Sequence, residues 1–226
     1  MSAEASGAGA VRRATPDLRV RELGPADLDR AISLASETFS RHAFYRSALG
    51  LEPAAFDAYW EEFLPLALYD PSARLFGLDV EGRLSGLLLV GTRGFPSPLR
   101  AGTFLFRLLR RVGPRPWFRY LRFALAYEKV LSRPRAERRR EARGLWLLVS
   151  PDAEGVGRGS ALLRASRERM AAEGKTLITG LMDAGDPRLR TFYRRLGFEL
   201  SPPFPFFGRT AACIVQVVSP EGGAPC

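Results

Sequence analysis

Apolar and polar residues alternate over residues 18–23 (Leu-Arg-Val-Arg-Glu-Leu), the period of a strand with one buried face. Gly24-Pro25-Ala26-Asp27 then opens a predicted helix to about residue 40, with Leu28, Ile32 and Ala35 at helical spacing. A second helix is predicted over 53–68, carrying Phe56, Tyr59, Trp60, Phe63 and Leu64. Two apolar runs, 75–80 and 84–91, are joined by Glu81-Gly82-Arg83, a hairpin length. From residue 94 the pattern changes for about fifty residues. Phe104, Leu105, Leu108, Leu109 and Val112 mark one amphipathic helix, and residues 117–131 a more apolar one whose Arg115, Arg119, Arg122 and Lys129 share a stripe. A charged piece, 134–143, leads out. No turn-rich linker follows, so residues 94–143 read as a helical insertion between two strands of one sheet.

The run 144–150 is apolar throughout, which predicts a central strand ending at Pro151. The loop 152–159 feeds a helix with Gly159, Leu163, Ser166 and Met170 on one face and Gly174 placed to cap it. Residues 177–182 make the next strand. Asp186-Pro187 supplies an N-cap and first-turn proline for a helix with Leu189, Phe192, Tyr193 and Leu196 at i, i+3, i+4 and i+7, ended by Gly197. Residues 198–201 and 210–218 close an α/β sheet.

Composition narrows the chemistry. The 226 residues, 46% hydrophobic, suffice for one cored domain over 17–219; the Ala/Gly/Ser-rich residues 1–16 and the stretch 220–226 read as tails, the first of them disordered. No apolar run reaches about 18 residues and the N-terminus lacks a signal-peptide core, so a cytoplasmic protein without stable membrane insertion is expected. Two cysteines and a single histidine, His42, argue against a disulfide framework, a metal site and Ser-His-Asp catalysis. The net charge of +10 is local: fifteen Arg or Lys against Glu128, Glu137 and Glu141 lie between residues 93 and 143, leaving the remainder at about −2. Nucleic acid is therefore not the expected partner.

Gly155, Gly157 and Gly159, placed between a strand and a helix, let the backbone approach a ligand where the first helical amides point outward, an arrangement suited to phosphate oxygens. A mononucleotide P-loop is excluded, because Arg158-Gly159-Ser160 has the wrong spacing for Gly-Lys-Ser/Thr. A dinucleotide fold is closer, with Asp183 standing 24 residues beyond Gly159, but the 67 residues left after Gly159 cannot supply its remaining parallel strands.

The runs Leu147-Leu148-Val149-Ser150-Pro151, Glu154-Gly155-Val156-Gly157-Arg158-Gly159-Ser160-Ala161-Leu162-Leu163 and Phe192-Tyr193-Arg194-Arg195-Leu196-Gly197-Phe198 together resemble the GCN5-related N-acetyltransferases (GNAT) over about residues 145–200. The resemblance implies a mixed, mostly antiparallel central sheet flanked by helices. It implies acetyl-CoA or a related acyl-CoA as cosubstrate, its pyrophosphate on the amides of Glu154, Gly155, Val156, Gly157, Arg158, Gly159 and Ser160 and its pantetheine arm along the backbone near Leu148 and Val149. Two positions depart from the family: Glu154 stands where Gln or Arg is usual, which removes one contact to the pyrophosphate, and Asp186 stands where Asn is frequent.

An alkylamine must lose a proton before it attacks a thioester, and the departing thiolate, of pKa roughly 8–9, leaves best protonated. Tyr193 matches the family's tyrosine that protonates the thiolate. Its competing role is that of a core aromatic on the Leu189/Leu196 stripe. The strand 145–150 holds no carboxylate, so Asp183 becomes the candidate base, against a plain loop or capping role and against water as the base.

The insertion has three readings: a wall of the acceptor pocket with Phe104, Phe106, Trp117, Phe118 and Tyr120 contacting an apolar or aromatic amine; a peripheral lipid-binding element; or a cover for one sheet edge. The sequence thus predicts an enzyme transferring an acyl group to a small-molecule amine. Its rivals are a non-catalytic CoA-binding module and a basic lipid or nucleic-acid binder built on residues 100–143. The oligomeric state, a homodimer included, stays open.

Overall fold

The computed structural model describes residues 18–49, 51–132, 137, 139–153 and 157–218; both expected tails lie outside them. Strand β1 (Leu18–Glu22) is followed by a short 3-10 turn and helices α1 (Leu28–Arg41), α2 (Ala43–Leu49) and α3 (Pro53–Tyr69). Strands β2 (Ala73–Val80) and β3 (Arg83–Thr92) form a hairpin, and α4 (Pro98–Val112) and α5 (Pro114–Val130) form the insertion. Then come β4 (Glu141–Val149), α6 (Arg158–Ala172), β5 (Leu177–Asp183), α7 (Pro187–Arg195), β6 (Glu199–Leu200), β7 (Phe204–Phe206) and β8 (Arg209–Val217). The spatial order is β1-β2-β3-β4-β5-β8-β6, with β7 also on β8, and among the described residues the β4–β5 pair alone is parallel. The fold is the mixed, mostly antiparallel sheet flanked by helices that the sequence predicts.

Local chemistry explains most boundaries. Glu81 and Gly82 both adopt positive φ (51° and 78°), so the hairpin closes through a two-residue turn rather than the three residues expected. Asp186 caps α7, its side chain accepting from the Arg188 N–H at 2.7 Å. Gly174 and Gly197 end α6 and α7 with φ of 72° and 81°. The seven-residue α2 escapes the pattern because so short a helix shows barely two turns of periodicity.

Two boundaries correct the sequence reading. β4 begins at Glu141, not at 144: the last residues of the expected charged connector are strand, and Glu141 and Ala142 are buried. The insertion covers a face of the sheet, not an edge. It packs on α3, and Phe104, Leu108 and Phe123 join a core containing Phe39, Trp60 and Trp146. Its entry is pinned by Asp70, which is 2% exposed and accepts from the Ser72 and Ser97 amides, each at 2.9 Å. The opposite face carries α6 and α7 over a second core that includes Leu78, Leu88, Leu162 and Tyr193.

Candidate functional site

The chemistry of the sheet is set by where β4 and β5 stop pairing. They are hydrogen-bonded over four residues only, from Glu141↔Leu177 to Gly144↔Gly180. Beyond that point β4 continues on β3 as far as Val149↔Gly86, and β5 continues on β8 as far as Asp183↔Ala211. The two strands thus diverge into a gap whose flanks keep unpaired backbone groups. Glycines face each other at its root. A Cβ at Gly180 would lie 3.1 Å from the Gly144 carbonyl, so the close approach there depends on glycine.

β4 also bulges at the gap. Leu89 faces Trp146 and Val90 faces Gly144, leaving Leu145 as the extra residue. Leu145 and Trp146 consequently both pack on the insertion side, whereas Leu147 and Val149 pack on the other and Leu148 returns to the insertion side.

On the α6/α7 side, Gly157 takes a left-handed conformation (φ 79°) as the N-cap of α6, and no side chain among the described residues caps that end. The amides of Arg158, Gly159 and Ser160 therefore lack intrahelical acceptors, which is the condition for holding an anion. The Arg158 Nε is buried with no hydrogen-bond partner among the described residues. These features fit a diphosphate. Gly159 has a second constraint, since a Cβ there would meet the Phe192 ring at 3.2 Å and Val149 at 3.7 Å. Phe192 thus ties the start of α6 to the end of β4 and to Tyr193. Glu154, Gly155 and Val156, the first half of the expected cradle, lie outside the described residues.

Tyr193 is buried between Phe192 and Phe198, with ring centroids 5.0 and 5.3 Å away. Burial pushes its phenol up to about 12. Asp183 ends β5. Its Oδ1 accepts from the Gly185 N–H at 2.9 Å, and with Asp186, Arg209 and Thr210 it lines an open polar groove. The structure therefore brings Val149, Gly159 and Phe192 together, with Tyr193 beside Phe192, and sets Asp183 and the capping Asp186 along the polar groove.

The insertion side holds what the sequence pattern does not reveal. A cavity of about 230 Å³ lies between the sheet and α2–α5, lined by aromatic residues of α3 (Tyr59, Phe63), the insertion (Phe104, Tyr120, Phe123) and β4 (Trp146). Leu145 and Leu181, one from each flank of the gap, also line it. The Trp146 side chain donates to the Tyr59 hydroxyl, which donates in turn to Tyr120. Burial raises the phenols of Tyr59, Tyr120 and Tyr127 well above their ordinary range, so all three stay neutral. Of the aromatics expected in a pocket wall, Phe104 and Tyr120 line the cavity. Phe106 and Phe118 are each 59% exposed and face away, and the Trp117 indole N–H is engaged by the Leu105 carbonyl at 2.9 Å.

One charged residue lines the cavity, Glu128 of α5. Both its oxygens accept from Arg143 Nη1, at 2.8 and 2.9 Å. Arg143 also pairs with Glu141 through Nε at 3.4 Å, and buried Glu141 accepts from the Thr179 hydroxyl at 2.6 Å. Residues 145–150 hold no carboxylate, as read from the sequence, but the longer β4 carries Glu141 on the paired side of the gap. Tyr127 reaches the Gly144 carbonyl at 3.5 Å, which sets this end of α5 against the root of the gap. Glu128 was visible as the sole acid of its helix, but only the fold places it. Among the described residues no group of three or more His, Cys, Asp or Glu is placed to hold a metal ion, and no helix is long and apolar enough to cross a membrane.

Comparison with known proteins agrees with this geometry. Residues 123–200 match the family model described as an acetyltransferase (GNAT) domain. No curated protein matches in sequence. Among solved structures, the polyamine N-acetyltransferase of Drosophila melanogaster, which forms N-acetylagmatine, is similar at a TM-score of 0.61 and 15% identity, over 89% of this chain and 100% of that one. The ribosomal-protein-S18-alanine N-acetyltransferase of Escherichia coli aligns at 0.55 and 16%, over 93% and 99%. The PaiA N-acetyltransferase of Thermoplasma acidophilum, solved with coenzyme A, aligns at 0.55 and 13%, over 89% and 99%.

Proposed function

Starting from a chain that has the GNAT fold and matches the GNAT acetyltransferase domain over residues 123–200, we propose that it is an acyl-CoA-dependent N-acyltransferase acting in the cytoplasm on a small-molecule amine. The observation that carries this reading is the β4–β5 gap, with an uncapped helix N-terminus on one side and a lined cavity on the other. Donor and acceptor approach from opposite faces and meet where the sheet is open.

The residues divide the work. The 157–160 amides and Arg158 hold the diphosphate, and the free edge of β4 near Leu148 and Val149 aligns the arm that follows it. The cosubstrate supplies a thioester carbonyl: the amine nitrogen bonds to its carbon, the carbon–sulfur bond breaks with its electron pair on sulfur, and the nitrogen's protons pass to the thiolate and to solvent. Tyr193 stays protonated over the whole physiological range. Its phenol, pushed up by burial to about 12, lies well above an ordinary thiol, so complete transfer from it is uphill. Tyr193 accordingly stabilises the leaving thiolate as a hydrogen-bond donor and yields its proton only in concert with reprotonation. Asp183, with Oδ1 held by Gly185, serves the turn that closes β5.

The test is thiol release. Acetyl-CoA should bind in calorimetry, and thiol should appear only when an amine is added. Tyr193→Phe should retain coenzyme binding and lose about 10²-fold in kcat. Binding without thiol release for every amine tried would leave a CoA-binding module instead.

A further inference from the structure

The cavity on the insertion side has a composition that selects among amines. Its walls are almost wholly aromatic and aliphatic, drawn from α3, α4, α5 and the two strands that flank the gap. The hydroxyls of Tyr59 and Tyr120 are joined to each other and to Trp146, so the walls offer few open polar groups. The exception is Glu128. Its side chain is 61% exposed, which places it at the mouth, and it shares Arg143 with buried Glu141. Two carboxylates on one guanidinium leave a net charge of −1 beside the root of the gap, where Tyr127 meets Gly144.

We propose that the acceptor is a monoamine on a bulky apolar body of about one aromatic ring system, the body lying in this cavity and the ammonium against Glu128 at its mouth. The proposal rests on the acyl-transfer reading above. An apolar body exchanges water for aromatic walls, the favourable direction of transfer. A diamine or polyamine would set its second ammonium among Phe63, Phe104 and Phe123, where cation–π contacts recover only part of the lost hydration. A long acyl chain on the cosubstrate would fill the same space, yet it brings no cation for the net negative charge. It is the competing occupant.

The experiment uses the full chain and two readouts. Calorimetry measures 2-phenylethylamine, ethylamine and putrescine binding to the free and the CoA-loaded protein, and steady-state assays with acetyl-CoA and octanoyl-CoA measure kcat/KM for each. 2-Phenylethylamine should exceed ethylamine by about 10- to 150-fold, the ratio expected for burying a phenylalanine-sized group, with putrescine no better than ethylamine. Ala124→Trp fills the cavity and should reduce that ratio to near one while CoA affinity stays within about twofold; Ala124→Leu, a smaller intrusion, should reduce it in part. Glu128→Gln should weaken 2-phenylethylamine at least tenfold and leave its neutral analogue 2-phenylethanol unchanged. Preference for putrescine, or an octanoyl-CoA preference that Ala124→Trp abolishes, would overturn the assignment while the acyl-transfer reading stands. Failure to bind any CoA would remove that reading, and the amine titrations on the free protein would still decide the cavity.

Discussion

The two faces of the sheet at the gap are built from different materials. On the α6/α7 face the groups that the proposed reading gives to the cosubstrate are mostly main chain: the first amides of α6 at 158–160, a left-handed Gly157 and the β4 edge, with Arg158 and Tyr193 as side-chain additions. On the insertion face they are side chains, an aromatic shell with one carboxylate. A main-chain site reads a ligand that never changes. A side-chain site is free to be respecified, and the proposed acceptor reading assigns specificity to that face.

The largest effect expected to separate the faces is that of Trp146→Ala. Trp146 packs edge-on against Phe39 and Trp60, at 5.0 and 5.2 Å, and is 7% exposed. Its truncation should cost about 3–5 kcal/mol, lowering Tm by roughly 2–4 °C per kcal/mol for a chain of this size. Calorimetry below the new Tm should still find CoA bound with near-native affinity; loss of both would show that the faces are one energetic unit.

A loss of comparable size is expected at Asp70. Burial alone would raise its carboxyl, but the Ser97 and Ser72 amides outweigh burial and hold it below the usual carboxylate range. A depressed folded value means that its contribution is present above the unfolded value near 3.9 and is lost as pH falls through the folded one. Below about pH 4 the insertion should therefore loosen ahead of α6, read as a rise in hydrogen exchange over 98–130 relative to 158–172 after correction for intrinsic rates. Asp70→Ala should produce the same asymmetry at neutral pH, at about 1–3 kcal/mol for each orphaned amide.

Asp186→Ala removes the α7 cap and should cost about 1 kcal/mol, seen as a small fall in Tm. Asp183→Asn should be nearly silent, changing kcat by less than about threefold, because an amide oxygen can still accept from Gly185. A fall of about 10²-fold would make Asp183 the base instead.

The legibility of each face follows from the same division. Glycines, a terminating proline and a Phe-Tyr pair at helical spacing are local signals, so the strand, the helix after the glycine loop and the helix carrying Tyr193 could be read along the chain. The cavity could not, because its walls come from four helices and two strands far apart in sequence. β4 hid two further features. Its first residues, Glu141 and Arg143, read as charged connector because their partners, Thr179 and Glu128, are supplied by other elements. Its bulge at Leu145 left no trace, since a strand apolar on every residue shows no alternation for an extra residue to interrupt. Residue type alone admits Phe106 and Phe118 to a pocket wall, one of three readings of the insertion, and helix rotation puts them outside.

The divergence of β4 from β5 has a consequence for mutational work. An unpaired strand edge presents its amides and carbonyls at every second residue, about 6.8 Å apart, and so acts as a ruler for any ligand carrying amides of its own. That ruler is made of atoms common to all residues. Alanine scanning across 147–149 would report the lost packing of these core side chains and leave the ruler intact, and a proline, which removes one graduation by deleting an N–H, is the substitution that would find it.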